Sequence, residues 1–244
     1  MPGLSENTAL KWDSVYGLDK DPIREFLVHP YLLEVSGNLR NKKILDIGCG
    51  NGNWIKKILP FGPTQVCGIE INDEFLRYLK EHIKSRKIEI FKGDIRKKFP
   101  YEDRRFDITY LIFVLNEVDD IRAVMKEAAR TLKKGGRLLL MAIHPFYPMR
   151  YYLYERYTGK KNDKIIGVGN YFERFKGDYM LTIANKPTPF FHHTVEDLIS
   201  SILDNGLGIT GFKELTVNNQ IIEAYPRYSG QKDLPKFLFI EAEK

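Results

Sequence analysis

With 244 residues, 43% of them hydrophobic and 13% aromatic, the chain has ample material for a buried core, which excludes an intrinsically disordered protein. Apolar runs such as Leu138 to Ile143 fall far short of the roughly 20 residues a membrane-spanning helix needs, and the N-terminus lacks a basic-then-apolar signal pattern, so a cytoplasmic protein without membrane contact is expected. Two cysteines, Cys49 and Cys67, lack metal-ligand spacing and predict reduced thiols with no metal site. The formal charge of +6 comes from short scattered groups such as Lys56-Lys57 and Arg104-Arg105, which read as solvated surface more readily than as a nucleic-acid face.

Short β-like runs alternate with helical patterns from residue 42 to 143. Lys43 to Ile47 reads as a buried strand, followed by a glycine-rich turn and a helix through Ile55, Ile58 and Leu59. Gln65 to Glu70 is the second strand. A helix from Asp73 carries Phe75, Leu76, Leu79 and Ile83 on one face. Lys87 to Phe91 and Phe106 to Phe113 are the third and fourth strands. Asp119 to Leu132 is an amphipathic helix expected to stop at Lys133-Lys134-Gly135-Gly136, with cations on its dipole and a glycine cap. Arg137 to Ile143 is the fifth strand. Repeated β-α units predict a doubly wound α/β fold, with a mostly parallel sheet that takes its ligand beyond the carboxyl ends of its strands.

The pattern then changes. Residues 145–191 are rich in tyrosine and phenylalanine, with a hairpin predicted about Lys176-Gly177-Asp178. Thr194 opens a helix that stops near Gly206, and two strands follow, at about Ile209–Val217 and Phe237–Glu241. The whole reads as one domain: an N-terminal cover (1–40), a ligand-binding core (41–144), a lid insertion (145–191) and a completion of the sheet (192–244).

The turn after the first strand reads Leu45-Asp46-Ile47-Gly48-Cys49-Gly50-Asn51-Gly52-Asn53. Glycine there allows a tight turn and close backbone approach to a ligand. A dinucleotide fingerprint would need glycine at Asn53, and the Asp46 carboxylate is an awkward neighbour for a pyrophosphate. It suits a ligand bearing an amino group and a sulfonium. Glu70, ending the second strand, is placed to accept hydrogen bonds from ribose hydroxyls.

These stretches, with Gly68-Ile69-Glu70-Ile71, Gly93-Asp94-Ile95, Phe106-Asp107-Ile108 and Leu132-Lys133-Lys134-Gly135-Gly136, resemble the class I S-adenosylmethionine-dependent methyltransferases, particularly their small-molecule branch. The resemblance implies S-adenosyl-L-methionine as cofactor and a seven-stranded sheet whose last strand is antiparallel. It implies that Gly48, Cys49 and Gly50 line the methionine part, Glu70 the ribose, Asp94 and Ile95 the adenine edge, and Ile71 the adenine face. Leu111 would offer a backbone contact near the methionine. Many relatives carry histidines where Asn116 and Glu117 stand.

Methyl transfer needs alignment, exclusion of water and sometimes a base, so no fixed motif names the acceptor. His144, after the fifth strand, reads equally as a general base or a strand cap. His192 and His193 precede the Thr194 cap near the same rim, and Glu117 reads as a base, as a carboxylate that binds a cationic acceptor, or as a solvated strand-end carboxylate. Trp12, Tyr16 and Leu18 resemble a mobile N-terminal cover. A small-molecule methyl acceptor, methylated on O or N, is the favoured partner. RNA is the rival, because basic residues interleave the aromatic insert, and a catalytically inactive cofactor-binding regulator is a third reading. No motif fixes an oligomeric state.

Overall fold

In the computed structural model, which describes residues 22–153, 165–174, 176–181 and 186–244, the run Lys43–Ile47 forms β1 because four of its five side chains are buried. It is flanked by β2 (Gln65–Glu70) and β4 (Phe106–Ile112), parallel to both. Burial on both faces accounts for the near-continuous apolar composition of these strands. With β3 (Ile88–Lys92), β5 (Leu132–Ile143), β10 (Gly208–Leu215) and β11 (Phe237–Glu243) they make one seven-stranded sheet in the order β10-β11-β5-β4-β1-β2-β3. Only β11 runs against the rest: it is antiparallel to β5 on one side and to β10 on the other.

Helices cover both faces. A π-helical turn, Arg24–Val28, runs into α1 (His29–Ser36), which packs with α2 (Asn53–Ile58) against Ile44, Val66, Tyr110, Leu139 and Phe239. Leu79 of α3 (Asp73–His82) and Ile221 of α6 (Asn219–Ala224) join that layer. On the other face, α4 (Ile121–Thr131) and α5 (Val195–Leu203) bury Val124, Met125, Ala128, Leu198 and Ile202 against Leu45, Leu138 and Leu140. Local chemistry fixes the helix starts: Asn72 accepts from the Glu74 and Phe75 amides, and Thr194 forms a capping box with Asp197. Among the described residues no helix is long and apolar enough to cross a membrane.

Two local expectations are corrected. The α4 helix stops at Thr131, and Leu132 is already extended and paired with Phe106. Pairing this fully buried leucine wins over one more helical turn, and Gly135, at φ 73°, forms a bulge at the start of β5. The cation capping the helix is Lys244, whose Nζ donates to the carbonyls of Ala129 and Leu132 at 2.6 and 3.0 Å. Lys176-Gly177-Asp178 likewise lies inside strand β8 (Lys176–Leu181), paired with β9 (Lys186–Phe191), rather than at a turn. The turn upstream is formed by Asn170 at φ 55°, with the Glu173 amide donating to its carbonyl. A second small antiparallel pair joins β6 (Arg150–Leu153) to β7 (Ile165–Val168). Trp12, Tyr16 and Leu18 lie outside the described residues.

Candidate active site

The turn from β1 into α2 is held by backbone. The amides of Gly48 and Cys49 both donate to the Ile69 carbonyl, at 2.9 and 3.1 Å. Gly48, at φ 72°, has no room for a side chain, since a Cβ there would meet Val114 Cγ2 at 2.4 Å. Gly50, at φ 54°, is the opposite case: a Cβ there would meet nothing within 4 Å, so its backbone borders open space. Gly68 in β2 lets Cys49 lie against the strand, for a Cβ there would come within 2.7 Å of Cys49 Sγ. Burial pushes the Cys49 thiol up, helped by Asp46 and Glu70.

Two carboxyls stand beside this turn. Asp46 is 2% exposed and its Oδ2 has no hydrogen-bond partner. Burial, with the Glu70 charge adding to it, pushes its carboxyl up to about 7. Glu70 Oε2 accepts from the Gly50 amide at 2.9 Å, and Oε1 accepts from the amides of Ile71 and Asn72 at 2.9 and 2.8 Å. Burial raises its pKa against the pull of those three N–H donors. An orphaned buried carboxylate oxygen, an open glycine crest and a strand-end carboxylate match a ligand that brings a cationic amino group and hydroxyl donors.

Ile71 next to Glu70 is 44% exposed, an apolar side chain left for a ring to cover. Gly93 donates to the Glu70 carbonyl, which brings Asp94 and buried Ile95 alongside. Asp94 is gripped by Arg96, whose Nε lies 3.0 Å from Oδ1 and Nη2 2.7 Å from Oδ2, and that hydrogen bonding holds its carboxyl below the usual range. Leu111 is 1% exposed and paired with Ile47, so its side chain belongs to the core and only its backbone is available to a ligand.

Beyond β4 the chain turns sharply at Phe113, whose φ of 56° is uncommon for a bulky residue and marks local strain. A short 3-10 turn, Leu115–Glu117, follows. Glu117 reaches water, yet protein crowds it so that lost hydration, with Glu70 adding and Arg24 opposing, pushes its carboxyl up to about 7. The side chain is exposed, so water screens part of that effect. His193 Nε2 donates to the Val118 carbonyl at 2.8 Å, which fastens the end of β9 against this turn. Burial lowers the His193 pKa. His192 Nε2 lies 2.7 Å from the Tyr171 carbonyl. His144 is engaged on both nitrogens: Nε2 donates to Glu214 Oε1 at 2.9 Å, and Nδ1 accepts from the Phe146 amide at 3.1 Å. Burial lowers its pKa against the pull of Glu214.

The structure thus brings Asp46, Gly48, Cys49, Gly50, Glu70 and Ile71 around one turn, with Asp94 and Ile95 beside them. Glu117 and His193 gather at the end of β4, and His144 stands apart at the β10–β11 side. Sequence reasoning missed Arg24, whose guanidinium lies 5.6 Å over the Phe113 ring, and the Arg96 clamp on Asp94. Arg24 precedes the first strand in an unpatterned stretch, whereas the Asp94-Ile95-Arg96 spacing was itself a readable signal for a local ion pair.

Comparison with known proteins agrees with this fold. Residues 45–140 match a family model described as a methyltransferase domain. The chain is 23% identical over 233 residues to an uncharacterized protein of Haemophilus influenzae, covering 91% of this chain and 89% of the relative. It is 36% identical over 111 residues to sterol 24-C-methyltransferase erg6 of Aspergillus fumigatus, covering 43% of this chain and 29% of that one. With the demethylmenaquinone methyltransferase of Staphylococcus aureus it shares 32% over 129 residues, 50% of this chain and 53% of that one. The matches thus span less than two thirds of these two enzymes. Among solved structures, an S-adenosylmethionine-dependent methyltransferase from Mesorhizobium loti superposes with a TM-score of 0.75 at 21% identity, over 88% of this chain and 96% of that one. A putative one from Listeria monocytogenes gives 0.72 at 21%, over 89% and 99%. Residues 45–140 thus resemble a methyltransferase domain, and the chain has the Rossmann-like fold of these solved structures. The orphaned Asp46 oxygen, the Gly50 crest and Glu70 fit S-adenosyl-L-methionine, the cofactor for which those two structures are named.

Proposed function

We propose that the chain methylates an oxygen or nitrogen atom of a small molecule, with Glu117 taking the acceptor's proton. Asp46 would meet the cofactor's amino group, Gly48 to Gly50 its methionine part, Glu70 the ribose, and Ile71, Asp94 and Ile95 the adenine. When bound, S-adenosylmethionine supplies a methyl on a sulfonium, an electrophile that needs no further activation. The protein's own tasks are then to align the acceptor, keep water out and receive a proton.

The observation that carries this reading is the place of Glu117, exposed on the turn after β4 beside the Val118–His193 contact, with lost hydration and Glu70 pushing its carboxyl up to about 7. A base of that strength is half ionised near neutrality, where proton transfer is most efficient. His144 is less suited, since its Nε2 donates to Glu214 and its Nδ1 accepts from the Phe146 amide, which leaves no lone pair for a proton. The β6–β7 and β8–β9 ribbons fall within 145–191, the segment read as a lid over the acceptor. Two relatives are named for small organic acceptors, a sterol and demethylmenaquinone, which supports an acceptor of that kind here.

The test is methyl transfer from labelled cofactor to two separate pools, a small-molecule extract and bulk RNA. Label is expected in the first. Label in RNA would overturn the reading, particularly with binding that falls about a thousandfold between 50 and 200 mM salt.

A further inference from the structure

A cavity of about 520 Å³ lies where the end of α3 meets β3. β3 is the last strand of the sheet, paired on one side only. Ile88 and Ile90, two residues apart on one face of it, are therefore only half-buried. With Leu79 and Ile83 they make the apolar floor of the cavity, and the exposed Lys80, Lys84 and Arg86 stand around it. No acid lines it. Among the described residues Lys84 Nζ donates to the Lys80 carbonyl, and none of the three cations has an acidic partner. The nearby acids Asp73 and Glu89 are taken by Lys92 and Arg105. Lysine stems often cover apolar surface themselves, but here the cavity remains with the stems in place.

The same floor seats the glycine turn. A Cβ on Gly52 would come within 2.8 Å of both Leu79 Cδ1 and Ile83 Cδ1, so these two side chains lie directly against the turn. A Cβ on Gly68 would come within 2.7 Å of Ile90 Cδ1 and of Cys49 Sγ, which places Ile90 against the strand on which Cys49 rests.

We propose that this cavity binds a small anionic amphiphile, an apolar chain or ring bearing an oxyanion, and that its occupation steadies the glycine turn. The volume falls within the range of small-molecule pockets, about 300–1,000 Å³. An apolar body covers the side chains that the edge strand leaves half open to water. Three cations with no acid among them select an anionic head and repel a cationic one. The site is separate from that of the methyl acceptor, since none of its residues lies on the turn after β4 that carries Glu117. The path to the glycine turn is one contact long, from Leu79 and Ile83 to Gly52. A ligand that holds those side chains removes freedom the turn would otherwise lose on binding its own ligand, so the two bind cooperatively.

The full chain is titrated in a calorimeter with decanoate and, separately, with decyltrimethylammonium, both below their micelle concentrations. One decanoate per chain is expected, with the cationic probe at least about tenfold weaker. Lys84, Ser85 and Arg86 are exposed, so their variants keep the fold. K84E and R86E should each weaken decanoate about tenfold, K84R and R86K should retain it, and S85W, which fills the cavity, should abolish it. Affinity for S-adenosylhomocysteine should rise about fivefold in saturating decanoate, and not in S85W. Decanoate that fails to bind, that binds K84E and R86E as well as the parent, or that binds no better than the cationic probe overturns the proposal. Binding at the cavity with S-adenosylhomocysteine affinity unchanged overturns the link to the turn. That link rests on the cofactor reading above: if S-adenosylhomocysteine does not bind at all, both fall together, and the decanoate titrations alone uphold or overturn the site.

Discussion

Glu70 Oε2 accepts a hydrogen bond from the Gly50 amide at 2.9 Å, so the residue that ends β2 also fixes the crest of the glycine turn. Its Oε1 is filled by two amides, those of Ile71 and Asn72, while Oε2 keeps a lone pair for a ribose hydroxyl. Glu70→Ala should therefore act twice. Affinity for S-adenosylhomocysteine should fall by about 1.5–3 kcal/mol through loss of a charged acceptor, and the melting temperature should drop as the turn loosens. Calorimetry and thermal unfolding on one preparation check this. A lower melting temperature with unchanged affinity would leave Glu70 as a brace for the loop alone.

Asp46 makes a prediction with opposite signs for stability and binding. Its carboxyl is raised from 3.8 to about 7 in the fold. A folded-state value above the unfolded one means the stabilisation is fully present below about pH 4 and is lost as pH rises through about 7. Asp46→Asn removes that loss. Without cofactor, the variant should melt several degrees above the parent near pH 8 and about level with it near pH 4. Its cofactor affinity should nonetheless fall at least tenfold, because an amide does not neutralise an ammonium group. A variant less stable than the parent near pH 8 would contradict the burial of an uncompensated charge at Asp46.

His144 is saturated within the fold, donating to Glu214 and accepting from Phe146. Its replacement by alanine removes the cap at the end of β5 and should cost about 1–2 kcal/mol, a fall of roughly 2–8 °C in melting temperature. Turnover of the surviving folded protein should stay within a few-fold. A loss of about 10²–10⁴-fold in turnover at unchanged melting temperature would instead make His144 the base.

The parts of the site readable in the sequence were those fixed by local backbone chemistry. Gly48 and Gly50 adopt positive φ, the conformation for which glycine is selected. Thr194 and Asp197 form the cap their spacing implies. The misjudged end of α4 shows the limit: Lys133-Lys134-Gly135-Gly136 is a good helix stop by local rules, but Leu132 pairs with Phe106 and the capping cation comes from Lys244. Both facts depend on residues far away in the chain. The same holds for Arg24 over Phe113 and for the partners of His144, which only tertiary packing brings together. Phe113 carries no sequence signal at all, since nothing about phenylalanine announces a φ of 56°.

Glu117 gives the sharpest pH signature. A base must be ionised to accept a proton, and this carboxyl is raised to about 7 by lost hydration and by Glu70. Turnover should therefore climb about tenfold per pH unit below that value and level off above it. Glu117→Gln should abolish the limb and lower turnover by about 10²–10⁴-fold, with cofactor affinity within about twofold. Arg24 opposes the rise, so R24Q should move the limb of an otherwise active enzyme to higher pH. That displacement separates a titrating Glu117 from a merely structural one, because a structural carboxyl has no rate limb for Arg24 to move. A limb lying in the ordinary carboxylate range, or normal turnover in Glu117→Gln, would retire Glu117. Among the groups at the end of β4, it would leave His193, whose Nε2 donates to Val118.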